Sequence, residues 1–144
     1  MNESMKIKGD VLIQVIDPQG NVKQEIFTPN TIVTAGKNLV ATLVSGSGTA
    51  FSHMAIGTDN TAVVVGDTTL GSETGRVTLT SKNVTNNAIA YVGDFPAGTG
   101  TGTIVEAGIF NASSGGTMLN RATFSAITKS ASDALKVTWT VTFG

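Results

Sequence analysis

Thr103-Ile-Val-Glu-Ala-Gly-Ile-Phe-Asn111, Ala112-Ser-Ser-Gly-Gly-Thr117 and Met118-Leu-Asn-Arg-Ala-Thr-Phe-Ser-Ala-Ile127 follow one another without a break. Two apolar, β-branched runs flank a cluster of turn residues, which is the pattern of a β-hairpin. With the turn centred on Ser114-Gly115, alternation puts Val105, Ala107 and Ile109 on one face with Met118, Ala122 and Phe124, and this is the face expected to be buried. The opposite face carries Ile104, Glu106, Gly108 and Phe110 beside Leu119, Arg121 and Thr123. There Arg121 stands opposite Gly108 and diagonal to Glu106, a distance that a long side chain spans. Glu106 and Arg121 are therefore the leading candidate ion pair. On an exposed face such a clasp would fix strand register and contribute ~0.2–1 kcal/mol.

The strands around this hairpin follow from the same reasoning. Leu135-Lys-Val-Thr-Trp-Thr-Val-Thr-Phe143 alternates without a fault, with Leu135, Val137, Trp139, Val141 and Phe143 on one face and Lys136, Thr138, Thr140 and Thr142 on the other. Near the start, Val11–Ile16 and Val22–Thr28 flank Asp17-Pro-Gln-Gly-Asn21, whose Pro and Gly suit a turn. Leu39, Val40, Leu43 and Val44 fall at helical spacing after Thr34, a candidate N-cap, and predict one short helix over Thr34–Val44. Gly36 and the β-branched content argue against that helix, so a strand over Leu39–Val44 competes with it. Ala50–Gly57 reads as a half-buried strand, Thr58–Thr69 as a long connection, and Glu73–Asn83 as an alternating strand. Asn86-Asn87 is a turn candidate, Ala88–Phe95 a strand, and Pro96–Gly102 a Gly-rich loop.

Seven or eight strands with turn signals every ~8–12 residues predict an all-β fold, an antiparallel β-sandwich of Ig-like or jelly-roll type with one short helix. The 144 residues fit a single domain with a short flexible arm over about Met1–Gly9. Charged residues make up 13% of the chain, against ~25% in an average protein, and the net charge is −1. The nine Lys and Arg are scattered, so no stripe neutralises a phosphate backbone and nucleic-acid binding is not expected. There is no cysteine to form a disulfide or a thiolate zinc site. No apolar segment approaches the ~20 residues of a membrane span, nor does the start resemble a secretory leader, so no membrane partner is expected.

Catalytic signatures are sparse. His53, the one histidine, sits in a predicted strand and reads as an ordinary hydrogen-bonding residue; neither a Gly-x-Ser-x-Gly elbow nor a cysteine nucleophile accompanies it. Asp59, Asp67, Glu73, Asp94 and Glu106 are the carboxylates available for acid–base work. Glu106 has Arg121 and Glu73 has Arg76, so structural ion pairs account for both. Gly36-Lys37-Asn38 lacks the earlier glycine and the following Ser or Thr of a phosphate loop, and Thr99–Thr103 precedes a strand instead of a helix N-terminus. Asp59, Asp67 and Asp94 match no EF-hand spacing. Tyr91 and Trp139, the aromatics that could stack on sugar, read as core residues. Neither a metal nor a cofactor is expected, and the chain is not expected to be an enzyme.

Five segments, Ser52-His-Met-Ala-Ile-Gly-Thr58, Thr69-Leu-Gly-Ser-Glu-Thr-Gly-Arg76, Ile104–Asn111, Gly116-Thr-Met-Leu-Asn-Arg-Ala122 and Val137–Phe143, together resemble small structural proteins of tailed bacteriophages. The resemblance covers about Ser52–Phe143. The group includes capsid decoration proteins and tail or fibre components, and residues 1–45 lack the long fibrous extension of the fibre members. It implies a decoration or cement protein in the virion, made in the bacterial host cytoplasm, bridging major capsid subunits as a homo-oligomer, with a trimer favoured. A tail, neck or fibre component attaching to other tail proteins or to host glycan is the alternative. Such bridging gains its strength from several modest contacts on one rigid oligomer.

Overall fold

A computed structural model describes residues 4–144. The strands are β1 (Ile7–Ile16), β2 (Val22–Pro29), β3 (Thr31–Ile32), β4 (His53–Gly57), β5 (Glu73–Thr78), β6 (Ser81–Thr85), β7 (Ala88–Phe95), β8 (Gly102–Phe110), β9 (Met118–Lys129) and β10 (Ala134–Phe143), and helix α1 covers Thr34–Val44. They form two five-stranded antiparallel sheets, sheet A in the order β2-β1-β10-β7-β6 and sheet B in the order β3-β9-β8-β4-β5. The fold is a β-sandwich.

Alternation builds the core. Val11, Ile13 and Val15 of β1 and Leu135, Val137, Trp139 and Val141 of β10 point inward from sheet A, to meet Met54, Ile56, Ile104, Ala107, Ile109 and Ile127 from sheet B. Each of these buries its side chain almost completely. At ~25 cal/mol per Å² of apolar surface removed from water, this core is the main favourable term in folding. It also contains one polar network. Trp139 Nε1 donates to Asn30 Oδ1, Asn120 Nδ2 donates to the same oxygen at 3.3 Å, and Asn120 Oδ1 accepts from the Ile109 amide at 3.1 Å. A buried indole N–H needs such a partner.

Several expectations are corrected by the backbone. The seven or eight expected strands become ten, because β3 is only two residues long and Glu73–Asn83 is not one strand. It crosses between sheets at Leu79-Thr80, so that β5 edges sheet B and β6 edges sheet A. The strand expected from Ala50 begins at His53. Of the expected arm, residues 1–3 lie outside the described residues, whereas Ile7–Gly9 already pair with Phe143–Val141. Thr34 is the first helical residue, and Val33 takes the N-cap position without a side-chain bond. The helix entrance is satisfied by backbone instead, with the Thr34 amide donating to Val65 O at 2.8 Å.

Gly36, which weakens the helix as a propensity, has a packing reason. A Cβ there would lie 2.3 Å from the Leu119 carbonyl oxygen, so only glycine lets α1 rest its backbone on β9.

Two irregularities alter the central hairpin. Gly108 does pair with Arg121 and Ala107 with Ala122, but Phe110 pairs with Met118, and the register also shifts between Ile104 and Glu106. Met118 is thereby moved to the Glu106 and Phe110 face while Leu119 and Ile104 turn into the core, the reverse of the simple alternation. The outer face of sheet B is not exposed either. Residues 58–72 fold across it and, with Val33, Ala55, Leu70, Phe110 and Met118, make a second small core.

Candidate functional site

The hairpin's two charges sit beneath that crossing segment. Glu106 is fully buried and Arg121 is 3% exposed, with Arg121 Nε donating to Glu106 Oε1 at 3.0 Å. The register accounts for this, since Glu106 and Arg121 occupy diagonal positions on one face of the β8–β9 ladder with glycine at 108 between them.

The Glu106 carboxylate binds the connection at both of its ends. Its Oε1 also accepts from the Gly71 amide at 2.8 Å, and its Oε2 accepts from the Asp59 amide at 3.0 Å and the Ser72 amide at 2.8 Å. Four donors thus serve two oxygens. Arg121 completes the grip from the other side, with Nη1 donating to Thr61 O at 3.0 Å and to Asp67 Oδ2 at 3.2 Å and Nη2 donating to Asp59 O at 3.1 Å. An arginine fork suits this task because it presents several donors in one plane. Gly57 makes room, since a Cβ there would lie 2.3 Å from Ser72 O and 2.5 Å from Glu106 Oε2.

Asp59 shapes the turn that enters the segment. Its Oδ1 accepts from Thr61 Oγ1 at 2.7 Å and the Thr61 amide at 2.8 Å, and these bonds, with a smaller contribution from the Arg121 charge, hold its carboxyl below the usual range. At the exit end, Asp67 Oδ2 accepts from the Val64 amide at 3.1 Å as well as from Arg121.

The second expected pair lies beside the first. Arg76 Nε and Nη2 donate to Glu73 Oε2 and Oε1 at 2.9 and 2.7 Å, a two-pronged bond across three residues of β5. Arg76 also lies 3.8 Å over the centre of the Phe110 ring, and its Nη1 donates to the carbonyls of Ala112 and Gly115 at 2.9 Å each. It therefore roofs Phe110 and ties the β8–β9 turn to β5.

A third charged group, not among the candidates that the sequence offers, lies at the far end of β9. Lys129 is fully buried, donating from Nζ to Pro96 O and Asp133 O at 2.9 Å each, and burial lowers its pKa. Asp133 accepts from Lys23 Nζ at 2.8 Å, the largest cause holding its carboxyl below the usual range. Lys129 lies two residues beyond the core residue Ile127 in β9, so once the strand runs on through Lys129 alternation carries its side chain inward.

The remaining candidates are dispersed. His53 Nδ1 meets Ser52 Oγ at 2.8 Å and its Nε2 meets Thr78 Oγ1 at 3.4 Å. Asp94 stands in sheet A and accepts from Thr80 Oγ1 at 2.6 Å, away from the Asp59 carbonyl and the Asp67 carboxylate that Arg121 gathers. Among the described residues no three His, Cys, Asp or Glu converge to hold a metal ion. Trp139 is fully buried and Tyr91 nearly so, with burial pushing the Tyr91 phenol up to about 12. No helix of the described residues is long and apolar enough to cross a membrane.

Chemically, the Glu106 site is a fastening. A general acid or base needs a lone pair or proton facing a substrate, and both Glu106 oxygens are already engaged by protein donors. Comparison with protein-family models, with curated proteins and with solved structures found no match to this chain.

Proposed function

We propose that the protein is a non-enzymatic structural component of a tailed-phage virion, most specifically a capsid decoration or cement protein that bridges major capsid subunits. One observation supports this above others. Four of the five segments that carry the resemblance, Ser52–Thr58, Thr69–Arg76, Ile104–Asn111 and Gly116–Ala122, are neighbours in sheet B and supply most of the Glu106 and Arg121 fastening. The similar residues are thus the ones that hold a loop rigidly on a sandwich, a task that suits a scaffold presenting a fixed surface. The large apolar side chains that this loop leaves exposed are Val64 and Val65, at 58% and 59%. They are a ready point of contact for a large partner.

Co-sedimentation with expanded, undecorated capsids tests the reading. Saturable binding supports it, and binding only to tail or neck fractions would replace it with a tail, neck or fibre role. A glycan-binding role would further require the indole or phenol ring to be accessible, and the burial of Trp139 and Tyr91 speaks against those two as a sugar platform.

A further inference from the structure

Sheet A extends past the material packed on its inner face at the β6 edge. Val84 and Lys82 of β6 pair with Ile89 and Tyr91 of β7, and all four side chains face the interior side of the sheet. At this margin they look across an open cleft at Leu43 and Val44 of α1 and at Phe51. The cleft comprises two adjoining hollows of about 240 and 370 Å³. Val44 on one bank is 83% exposed and Val84 on the other is 71% exposed. Single exposed apolar residues are ordinary, but two flanking one apolar cleft mark a contact surface.

We propose that this cleft is a self-association surface, covered by the same surface of a second copy about a two-fold axis. Charge selects the occupant. Residues 38–58, 83–93 and 137–144 supply the whole lining except Lys82, and they contain no Asp, Glu, Lys or Arg in a chain that carries nine basic and ten acidic residues. The Lys82 ammonium is already engaged, donating to Phe51 O at 3.0 Å. A nucleic acid, an anionic bilayer or a charged protein would lose hydration here and gain no counter-charge. A second copy brings an equally neutral face.

The sheet edges agree. The other edge of sheet A, β2, carries Lys23, Glu25 and Pro29, and the β5 edge of sheet B carries Glu73 and Arg76. Charges and proline are the usual means of keeping an edge from pairing. Edge β6 has one lysine and exposed Val84. Antiparallel pairing of two β6 edges with the axis at Val84 sets Asn83 opposite Thr85 of the other copy and leaves Lys82 beside that copy's β6–β7 turn. It also separates the two lysines by four strand positions, ~13 Å. The axis at Asn83 would bring them close, which like charges disfavour. Because knob and hollow share one patch, the contact is isologous and closes as a dimer; a trimer needs two different patches.

Sedimentation velocity from ~1 to ~100 μM, a range that brackets modest dimer affinities, is the test. The wild-type chain is expected to sediment as a concentration-dependent dimer. The double variant Val44→Asp, Val84→Asp is expected to stay monomeric across the same range, with an unchanged circular dichroism spectrum because both positions are exposed. Val84→Cys, in a chain without other cysteines, is expected to oxidise to a covalent dimer. A wild type that stays monomeric, a trimer, or a double variant that associates like the wild type overturns the surface. Association is read without capsids, so this outcome and the capsid-binding outcome are independent of each other.

Discussion

The outer face of sheet B and the β6 margin of sheet A invert the ordinary rule of burial. On sheet B two full charges lie in the dark, roofed by a connection whose own backbone satisfies them. At the margin of sheet A, Val84 of β6 and Val44 of α1 stand in water beside an apolar cleft. The first region is complete within one chain, because each side-chain nitrogen of Arg121 and each carboxylate oxygen of Glu106 has a protein partner on hand. The second is incomplete within one chain and becomes a core only when something covers it. Polar closure therefore marks where the molecule holds itself together, and apolar exposure marks where it meets another.

The sharpest way to break this contrast is Glu106→Gln, which keeps the shape but removes the buried carboxylate and leaves the Arg121 charge with the partly exposed Asp67 carboxylate alone. Loss of one member of a buried pair typically costs ~3–5 kcal/mol. Urea unfolding should show a loss of that order, and a change below ~1 kcal/mol, the size of a surface pair, would mean the clasp is not a buried fastening. Gly57→Ala should follow at ~1–3 kcal/mol, since the new methyl group meets Ser72 O and Glu106 Oε2 and the connection must lift to admit it. Arg76→Lys keeps the charge but loses the flat contact with Phe110 and the two-pronged bond to Glu73. A loss of ~1 kcal/mol is expected by the same denaturation measurement.

Acid should weaken the fold in a defined way. Asp133 has a folded pKa below its ordinary 3.8, so its stabilisation is fully present above that value and is lost as pH falls through the folded value. Lys23→Met removes the largest cause of the shift, and the acid-unfolding midpoint should move to higher pH. An unmoved midpoint would separate Asp133 from acid stability. At the open margin, Val44→Asp should change unfolding free energy by no more than ~0.5 kcal/mol in dilute protein, where a surface substitution has little to disturb. A large loss there would show that the cleft is already part of the monomer's core.

How far these regions could be read from residues alone depends on which signal each used. The clean alternation of Leu135–Phe143 translates directly into β10, and the spacing of Leu39, Val40 and Leu43 into α1, whose packed side they form, while Val44 of the same series stays exposed. Arg121 opposite Gly108 follows from counting back across the turn. The exchange of Met118 and Leu119 between faces does not follow, because a bulge adds a residue without changing composition. The partners of Glu106 were hidden for a different reason: Asp59, Gly71 and Ser72 contribute backbone amides, which every residue possesses. One signal did point to them. Phe110 shares a strand face with Glu106, and a large aromatic on a face supposed to be wet implies a cover. The long connection at 58–72 is the segment with the reach to provide it.

Amide hydrogen exchange at Asp59, Gly71 and Ser72 tests the closure most directly. Gly71 and Ser72 belong to an exposed connection, and an unfastened loop there would exchange near the rate of a free chain. The fastening to Glu106 predicts protection of all three amides approaching that of the β8 strand, with that protection lost together in Glu106→Gln. Fast exchange at these amides in the wild-type protein, alongside slow exchange in β8, would contradict it.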